Sequence, residues 1–200
     1  MELQKINVKF FAVENEPVPL TAFIDVFHSW IQASDGTYHD VADYSHMRAG
    51  PGIVLVAHEM NVSIDETGGR RGLLYNRKAP LQGSNPERLR EVFRSALKYC
   101  CRVEGEPALK GRIIFRVDEA EVTFNDRLLA PNTVDAFVSI KADLELFFRQ
   151  LYGTSAVSLE RDEDPRRRLN VQVKTPAVFD IATLQSNLER SCEEPASRTH

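Results

Sequence analysis

The sequence predicts a single α+β domain in which helices pack on a mostly antiparallel, curved sheet. Short segments alternate apolar and polar residues, as half-buried strands do. Longer segments repeat apolar residues at helical spacing and fall between pairs of predicted strands. No Gly/Ser-rich or Pro-rich tract divides the 200 residues, so we expect one domain over residues 1–190 and a flexible tail over residues 191–200.

The N-terminal half supplies several strands and one helix. Residues 5–12 alternate cleanly and predict a half-buried strand, whereas residues 20–33 carry apolar side chains at helical spacing. Residues 53–57 (IVLVA) have no polar face, which is typical of a central strand covered on both sides. Residues 62–65 alternate again, and the Gly-rich turn TGGRRG leads into another strand at residues 73–75.

The clearest helix covers residues 86–103, where an apolar stripe recurs at helical spacing. Two starts fit this helix. Asn85 before Pro86 forms a cap and first-turn pair, and alternatively Ser84 and Glu87 form a capping box.

The rest of the chain predicts more strands and two more helices. Residues 112–124 read as two strands joined tightly near Asp118 and Glu119, and residues 134–141 fit both a strand and a helix period. The further elements are a helix at 143–152, a strand pair at 156–161 and 169–174 across the charged loop DEDPRRR, and a short helix at 179–190.

The predicted elements add up to about seven or eight strands and three or four helices. The segments LLYNRKAP, TFNDRLLAP and VQVKTP each pass from a strand through a basic residue to a proline, and then toward a helix. Proline cannot continue a strand ladder, so it is a natural strand end. This recurrence suggests tandem β-β-α units, although ordinary turn chemistry would produce the same pattern.

Composition and charge exclude several classes of function. A net charge of −4 and a pI of about 5.8 disfavour nucleic acid and anionic membranes as partners. The apolar run IVLVA is far shorter than the roughly 20 residues of a membrane-spanning helix. The three cysteines do not form a disulfide framework, which indicates reduced thiols and a cytoplasmic location.

The first candidate site is the segment HDVADYSHMRAGPGIVLVAHE. His39, His46, His58 and Glu59 are residue types that bind a divalent transition metal, and Glu59 or Asp43 could take a proton from metal-bound water. The spacing matches no known metal motif, and His46 would have to approach the end of the strand that carries His58. The alternative, which we favour, is that these residues end a buried strand or face water.

The second candidate site is TGGRRGLLYNRKAP. Its glycines allow a close backbone approach to an anion, and Arg70, Arg71, Arg77 and Lys78 could pair with a phosphate or carboxylate. The alternative is that the arginines lie exposed and solvated at a hairpin tip.

The sequence does not name a reaction, and it favours a binding domain over an enzyme. We expect a cytoplasmic binding or interaction domain that recognises a small anionic ligand or an acidic protein partner through the Gly-Arg turn, and we predict no cofactor. The alternative function is a metal-dependent hydrolase that uses His39, His46, His58 and Glu59.

Overall fold

A computed structural model describes residues 1–47, 50–154 and 156–190. In these residues, the chain forms eight strands and four α-helices. The strands are β1 (Ile6–Glu14), β2 (Tyr38–Asp43), β3 (Ile53–Ala57), β4 (Met60–Asp65), β5 (Gly72–Arg77), β6 (Ile113–Phe124), β7 (Ser158–Arg161) and β8 (Leu169–Lys174). The helices are α1 (Ala22–Gln32), α2 (Asn85–Glu104), α3 (Val134–Tyr152) and α4 (Ile181–Arg190). The predicted tail at 191–200 lies outside the described residues.

The strands form one open antiparallel sheet, with the order β2-β3-β4-β5-β1-β6-β8-β7. The predicted α+β fold is therefore confirmed. The first strand of the chain, β1, lies in the middle of the sheet, where Val8 pairs with Tyr75 on one side and with Val122 on the other. Because β1 joins the strands of the first half to those of the second, a single sheet runs through the whole domain.

The helices form one layer on one face of the sheet. Phe10 of β1 packs edge-on against Phe93 of α2, with ring centroids 5.8 Å apart, and Phe93 also contacts Phe147 and Phe148 of α3. Helix α4 contacts both α2 and α3, and the Trp30 ring of α1 lies 6.1 Å from a tyrosine ring of α2. The apolar alternate residues of the strands pack against this layer and form the core.

The other face of the sheet carries the polar alternate residues. On β1, Asn7 and Lys9 lie between the core residues Ile6, Val8 and Phe10, so they point away from the helices. Their cross-strand neighbours include Asn76 of β5 and Thr123 and Glu121 of β6. We call this side of the sheet the polar face.

Helix α2 begins with the predicted capping box of Ser84 and Glu87. The Ser84 N–H donates to the Glu87 carboxylate at 2.7 Å, and the Ser84 side chain accepts from the backbone, which completes a capping box. Pro86 then occupies the first turn, where its missing N–H costs nothing.

The structure differs from the predicted elements in residues 112–124. A single strand, β6, runs through this segment instead of a hairpin. Phe10 pairs with Ala120 whereas Phe11 pairs with Arg116, so the intervening residues bulge and bend the strand without reversing it. The acidic residues that suggested a turn instead have cationic partners, since Asp118 pairs with Arg116 and Glu119 pairs with two cations.

Three further segments refine the predicted elements. Strand β2 was not predicted, and the ambiguous residues 134–141 are the start of α3. Strand β3 is buried and paired on both sides, but it lies next to an edge strand, and the middle of the sheet is formed by β5 and β1. The units β4-β5-α2 and β7-β8-α4 have the predicted β-β-α order, whereas the single strand β6 leads to α3.

Within residues 1–47, 50–154 and 156–190, none of the helices combines the length and the apolar character that crossing a membrane requires.

Candidate functional site

The histidine segment does not form one cluster. His58 and Glu59 make the turn between β3 and β4, and His39 lies near this turn on β2. His46 follows β2 at the opposite end of β3, so roughly 15 Å of strand separates it from His58. In the part of the chain that the structure describes, no three His, Cys, Asp or Glu side chains are grouped so that they could hold a metal ion.

The predicted basic segment is also divided between two ends of the sheet. Arg70 and Arg71 lie in the turn before β5, whereas Arg77 and Lys78 lie at its far end, about 20 Å away along the strand. The four cations of the prediction therefore cannot contact one small ligand together.

Three of these four basic side chains, Arg71, Arg77 and Lys78, make contacts within the protein that stabilise the fold. Arg71 pairs with Glu14 and Glu66, and it also donates to a backbone carbonyl. Arg77 pairs with Glu59 and Glu91, both at 3.3 Å. The Lys78 ammonium donates to the carbonyl oxygen of the last residue of β3.

Arg70 has a different environment, because it lies on the polar face. Its guanidinium donates two hydrogen bonds to Glu119, at 2.8 and 2.9 Å, and lies 3.6 Å from the centre of the Phe11 ring. The hydrogen bonds from Arg70 hold the pKa of the Glu119 carboxyl below its ordinary value, and the same bonds raise the pKa of Arg70. Arg70 is thus a fixed cation at the rim of a cleft.

This cleft has a volume of about 770 Å³ and lies on the polar face. Its floor is formed by alternate residues of β6 and β8, namely Glu121, Thr123, Asn170 and Gln172. One wall is the turn between β4 and β5, which contributes Gly68 and Arg70. The other wall is the loop between β7 and β8, with Arg166, Arg167 and Arg168. We call it the arginine cleft.

The floor of the arginine cleft continues a row of polar side chains across five neighbouring strands. From β4 to β8, the paired residues are Asn61, Asn76, Asn7, Thr123 and Asn170. The Asn170 amide donates to Thr123 at 2.7 Å and to Glu121. The Oδ1 atoms of Asn7 and Asn61 are buried and accept no hydrogen bond from the described residues. Two side chains of this row, neither of them in the cleft lining, therefore keep an unused acceptor.

The charge of the arginine cleft is positive, although the whole chain is acidic. Among the described residues that line it, six are arginines and three are carboxylates, so positive charges exceed negative charges by three, or by one when Glu119 and Asp164, which pair with lining arginines, are included. The arginines are Arg70, Arg127, Arg161, Arg166, Arg167 and Arg168, and the carboxylates are Glu121, Glu160 and Asp162. The cleft is therefore a local excess of positive charge on a protein whose net charge is negative.

Three of the lining arginines have no carboxylate partner among the described residues. Arg127 donates to the backbone carbonyl of Arg166, and Arg161 donates to the Asn132 side chain and to a backbone carbonyl. Arg168 is exposed and makes no hydrogen bond or ion pair with the described residues. In contrast, Arg166 and Arg167 pair with Asp162 or Asp164. Arg127, Arg161 and Arg168 are therefore the cations available to a ligand.

Asn132 fixes the loop between β7 and β8, which carries Arg166, Arg167 and Arg168. It is buried, and its amide donates to the backbone carbonyls of Asp162 and Asp164, both at 2.9 Å. Its Oδ1 accepts from Arg161 at 2.8 Å. Because Asn132 ends the loop between β6 and α3, it fastens this loop to the loop between β7 and β8.

A buried ion pair stabilises the other wall of the cleft, which is the turn between β4 and β5. The Lys9 ammonium lies 2.5 Å from Asp65, and both side chains are only 4% exposed. Asp65 also accepts from the backbone N–H and the hydroxyl of Thr67, while Lys9 donates to the Thr67 carbonyl. These bonds fix the start of the turn that carries Gly68 and Arg70. Strand β1 was predicted to be half-buried, but both of its faces are buried, and Lys9 lies on the face that was expected to meet solvent.

Comparison with known proteins does not supply a function for this cleft. The chain matches no protein-family model, and it matches no curated protein sequence.

The neighbouring cysteines of α2 differ in environment. Cys100 is buried, and burial together with the nearby Glu104 carboxylate raises the pKa of its thiol, whereas Cys101 is exposed. Because the thiolate is the reactive form, we expect a maleimide to label Cys101 rapidly and Cys100 only after unfolding. Mass spectrometry of two variants, Cys100→Ala/Cys192→Ser and Cys101→Ala/Cys192→Ser, measures each thiol separately. Equal labelling rates in the folded variants would contradict this expectation.

Proposed function

We propose that this protein is a binding domain that holds an anionic ligand in the arginine cleft. The observation that carries the proposal is the convergence of Arg127, Arg161 and Arg168, which have no carboxylate partner among the described residues, on one concave surface. Guanidinium groups present paired N–H donors that match the geometry of carboxylates and phosphates, and their hydrogen bonds to such groups are strong. An anion in the cleft would supply the missing partners.

The floor of the cleft can form hydrogen bonds with the uncharged part of such a ligand. The amides of Asn170 and Gln172 offer donors and acceptors, and the carboxylates of Glu121 and Glu160 accept from hydroxyl or amide N–H groups. A few fixed polar groups of this kind are what orients a ligand in a pocket. The preferred ligand therefore carries both an anionic group and hydrogen-bond donors.

The arginine cleft includes only part of the predicted basic segment. Gly68 and Arg70 of the Gly-Arg turn line the cleft, whereas Arg71, Arg77 and Lys78 do not. We do not propose the hydrolase alternative, because His46 and His58 lie at opposite ends of β3. We also propose a cytoplasmic location, which the free thiols of Cys100 and Cys101 support.

Calorimetry with two simple anions, inorganic tripolyphosphate and hexaglutamate, tests the proposal. We expect binding of at least one anion at low salt, and an affinity at least tenfold lower in the variant Arg127→Gln/Arg168→Gln, because losing even one charge-assisted hydrogen bond of about 1.5–3 kcal/mol lowers the affinity tenfold or more. Both arginines are exposed, so the variant should keep its fold.

A matched control separates the cleft from the overall charge. The variant Lys98→Gln/Lys110→Gln removes the same two charges from exposed positions outside the cleft. It should bind like the original protein. The proposal is wrong if neither anion binds, or if the two double variants lose affinity equally.

A further inference from the structure

An exposed apolar surface lies at the start of α3 and in the loop before it. Leu128 is 94% exposed, Leu129 53%, and Val134 and Val138 each 61%. Val134 and Val138 are four residues apart on α3, so they lie on the same side of the helix. We call these four residues, which fall within eleven residues of chain, the leucine–valine patch. Exposed apolar side chains that form a contiguous surface commonly mark an interaction site.

The leucine–valine patch adjoins the arginine cleft. Arg127, which lines the cleft, donates to the Arg166 carbonyl, and Asn132 donates to the carbonyls of Asp162 and Asp164. Both ends of the segment 127–132 are therefore fastened to the loop that carries the cleft arginines. Leu128 and Leu129 lie between these two attachment points, so they are next to the cationic wall.

We infer that the ligand is an acidic segment of a partner protein, whose carboxylates enter the arginine cleft and whose apolar side chains cover the leucine–valine patch. This inference rests on the proposed function and names its ligand. A small anion would satisfy the arginines but leave the patch exposed. A peptide with acidic and apolar side chains complements both surfaces at once, and its backbone N–H groups and carbonyls match the amides of the floor.

The charges in the cleft favour a peptide over a nucleic acid. Glu121, Glu160 and Asp162 line the same surface as the arginines and would repel a continuous phosphate backbone. The Phe11 ring is already covered by the Arg70 guanidinium and offers little stacking surface for a base. A peptide can place its few carboxylates at the arginines and its N–H groups at the acidic residues.

Fluorescence anisotropy with two labelled peptides tests the inference. One peptide is Glu-Gly-Glu-Gly-Leu-Leu-Gly, whose spaced glutamates can each meet an arginine, and in the other two serines replace the leucines. We expect the leucine peptide to bind about fivefold more tightly or better, since leucine side chains gain from burial. The variant Leu128→Ser/Leu129→Ser should abolish this preference, and Arg127→Gln/Arg168→Gln should weaken both peptides at least tenfold.

The control variant is Val178→Ser, which removes an apolar side chain that is 88% exposed at another place on the surface. It should bind both peptides like the original protein. Thermal melting checks that the variants are folded, and because all the replaced side chains are exposed, little change is expected.

The outcomes distinguish the two proposals. If both peptides bind equally well, or if the leucine variant keeps the preference, the inference is wrong and the arginine cleft stands. The same holds if only tripolyphosphate binds. A single-stranded oligonucleotide that binds more tightly than either peptide would assign the cleft to nucleic acid, and phosphatidylserine vesicles that bind through Leu128 and Leu129 would assign the patch to a membrane. If no anionic probe binds, both proposals fail.

Discussion

Replacing Lys9 with methionine is expected to lower the free energy of unfolding by about 3–5 kcal/mol, which is the usual cost of removing one partner from a buried ion pair. Lys9 and Asp65 are each only 4% exposed, so the remaining Asp65 carboxylate would be buried without its counter-ion. Urea unfolding followed by circular dichroism measures this loss. A decrease below about 1 kcal/mol would show that water or another cation replaces the ammonium.

A double variant separates the ion pair from the packing around it. Lys9→Met/Asp65→Leu removes both charges, and hydrophobic replacements of a complete buried pair often cost little. We expect the double variant to be more stable than Lys9→Met alone, although the hydrogen bonds from Asp65 to Thr67 are lost. If the single variant is the more stable of the two, the stability of this region depends on the Thr67 bonds and not on the charge pair.

Replacing Gly52 with alanine is expected to be the second large effect, with a loss of about 3 kcal/mol or more. Gly52 has a φ of +62°, and a Cβ atom there would lie 2.0 Å from the carbonyl oxygen of Ile64. The new methyl group therefore meets backbone, which cannot move away as a flexible side chain could. Urea unfolding measures the loss, and it combines left-handed strain with this collision.

Gly36→Ala is the matched control for Gly52→Ala. Gly36 also has a positive φ, of +76°, but a Cβ atom there would meet nothing within 4 Å. It should cost only the left-handed strain, about 1–2 kcal/mol. Equal losses in the two variants would contradict the collision at Gly52.

The two faces of the sheet explain how an acidic protein can carry a basic cleft. One face is covered by the helix layer and holds the core. On the other face, the alternate residues of β1 and β8 are mostly polar, yet Asn7 and Lys9 there are 7% and 3% exposed. The turn between β4 and β5 and the loop between β7 and β8 line opposite sides of the arginine cleft on this face. The result is a concave polar surface, which is where binding residues on loops can converge.

The elements of the fold were largely predictable because they depend on local periodicity. The alternation in residues 5–12 correctly separated Ile6, Val8 and Phe10 from Asn7 and Lys9. Strand β2 was missed because its residues, YHDVAD, are mainly polar and lie at the edge of the sheet, where burial is low. The hairpin predicted near Asp118 and Glu119 was wrong because Glu119 pairs with the distant cations Arg70 and Lys174 inside a continuous strand.

The candidate site was only partly predictable. The glycines and Arg70 were recognised as a binding turn, but Arg127, Arg161 and Arg168 are separated from it by 57 to 98 residues of chain. They reach it because β6 and β8 are neighbours in the sheet although α3 and β7 separate them in sequence. Spacing along the chain carries no signal for such a convergence.

From the sequence alone, the pattern of apolar residues determined the α+β class, most of the helices and strands, and, for alternating strands such as β1, which side faces the core. Those properties follow from the periods of the helix and the strand, which act over a few residues. The tertiary structure alone decided that the histidines are dispersed, that Lys9 is buried against Asp65, and that the arginines meet in one cleft. These features depend on strand order and on which charges pair over long distances, and both are set by the packing of the whole chain.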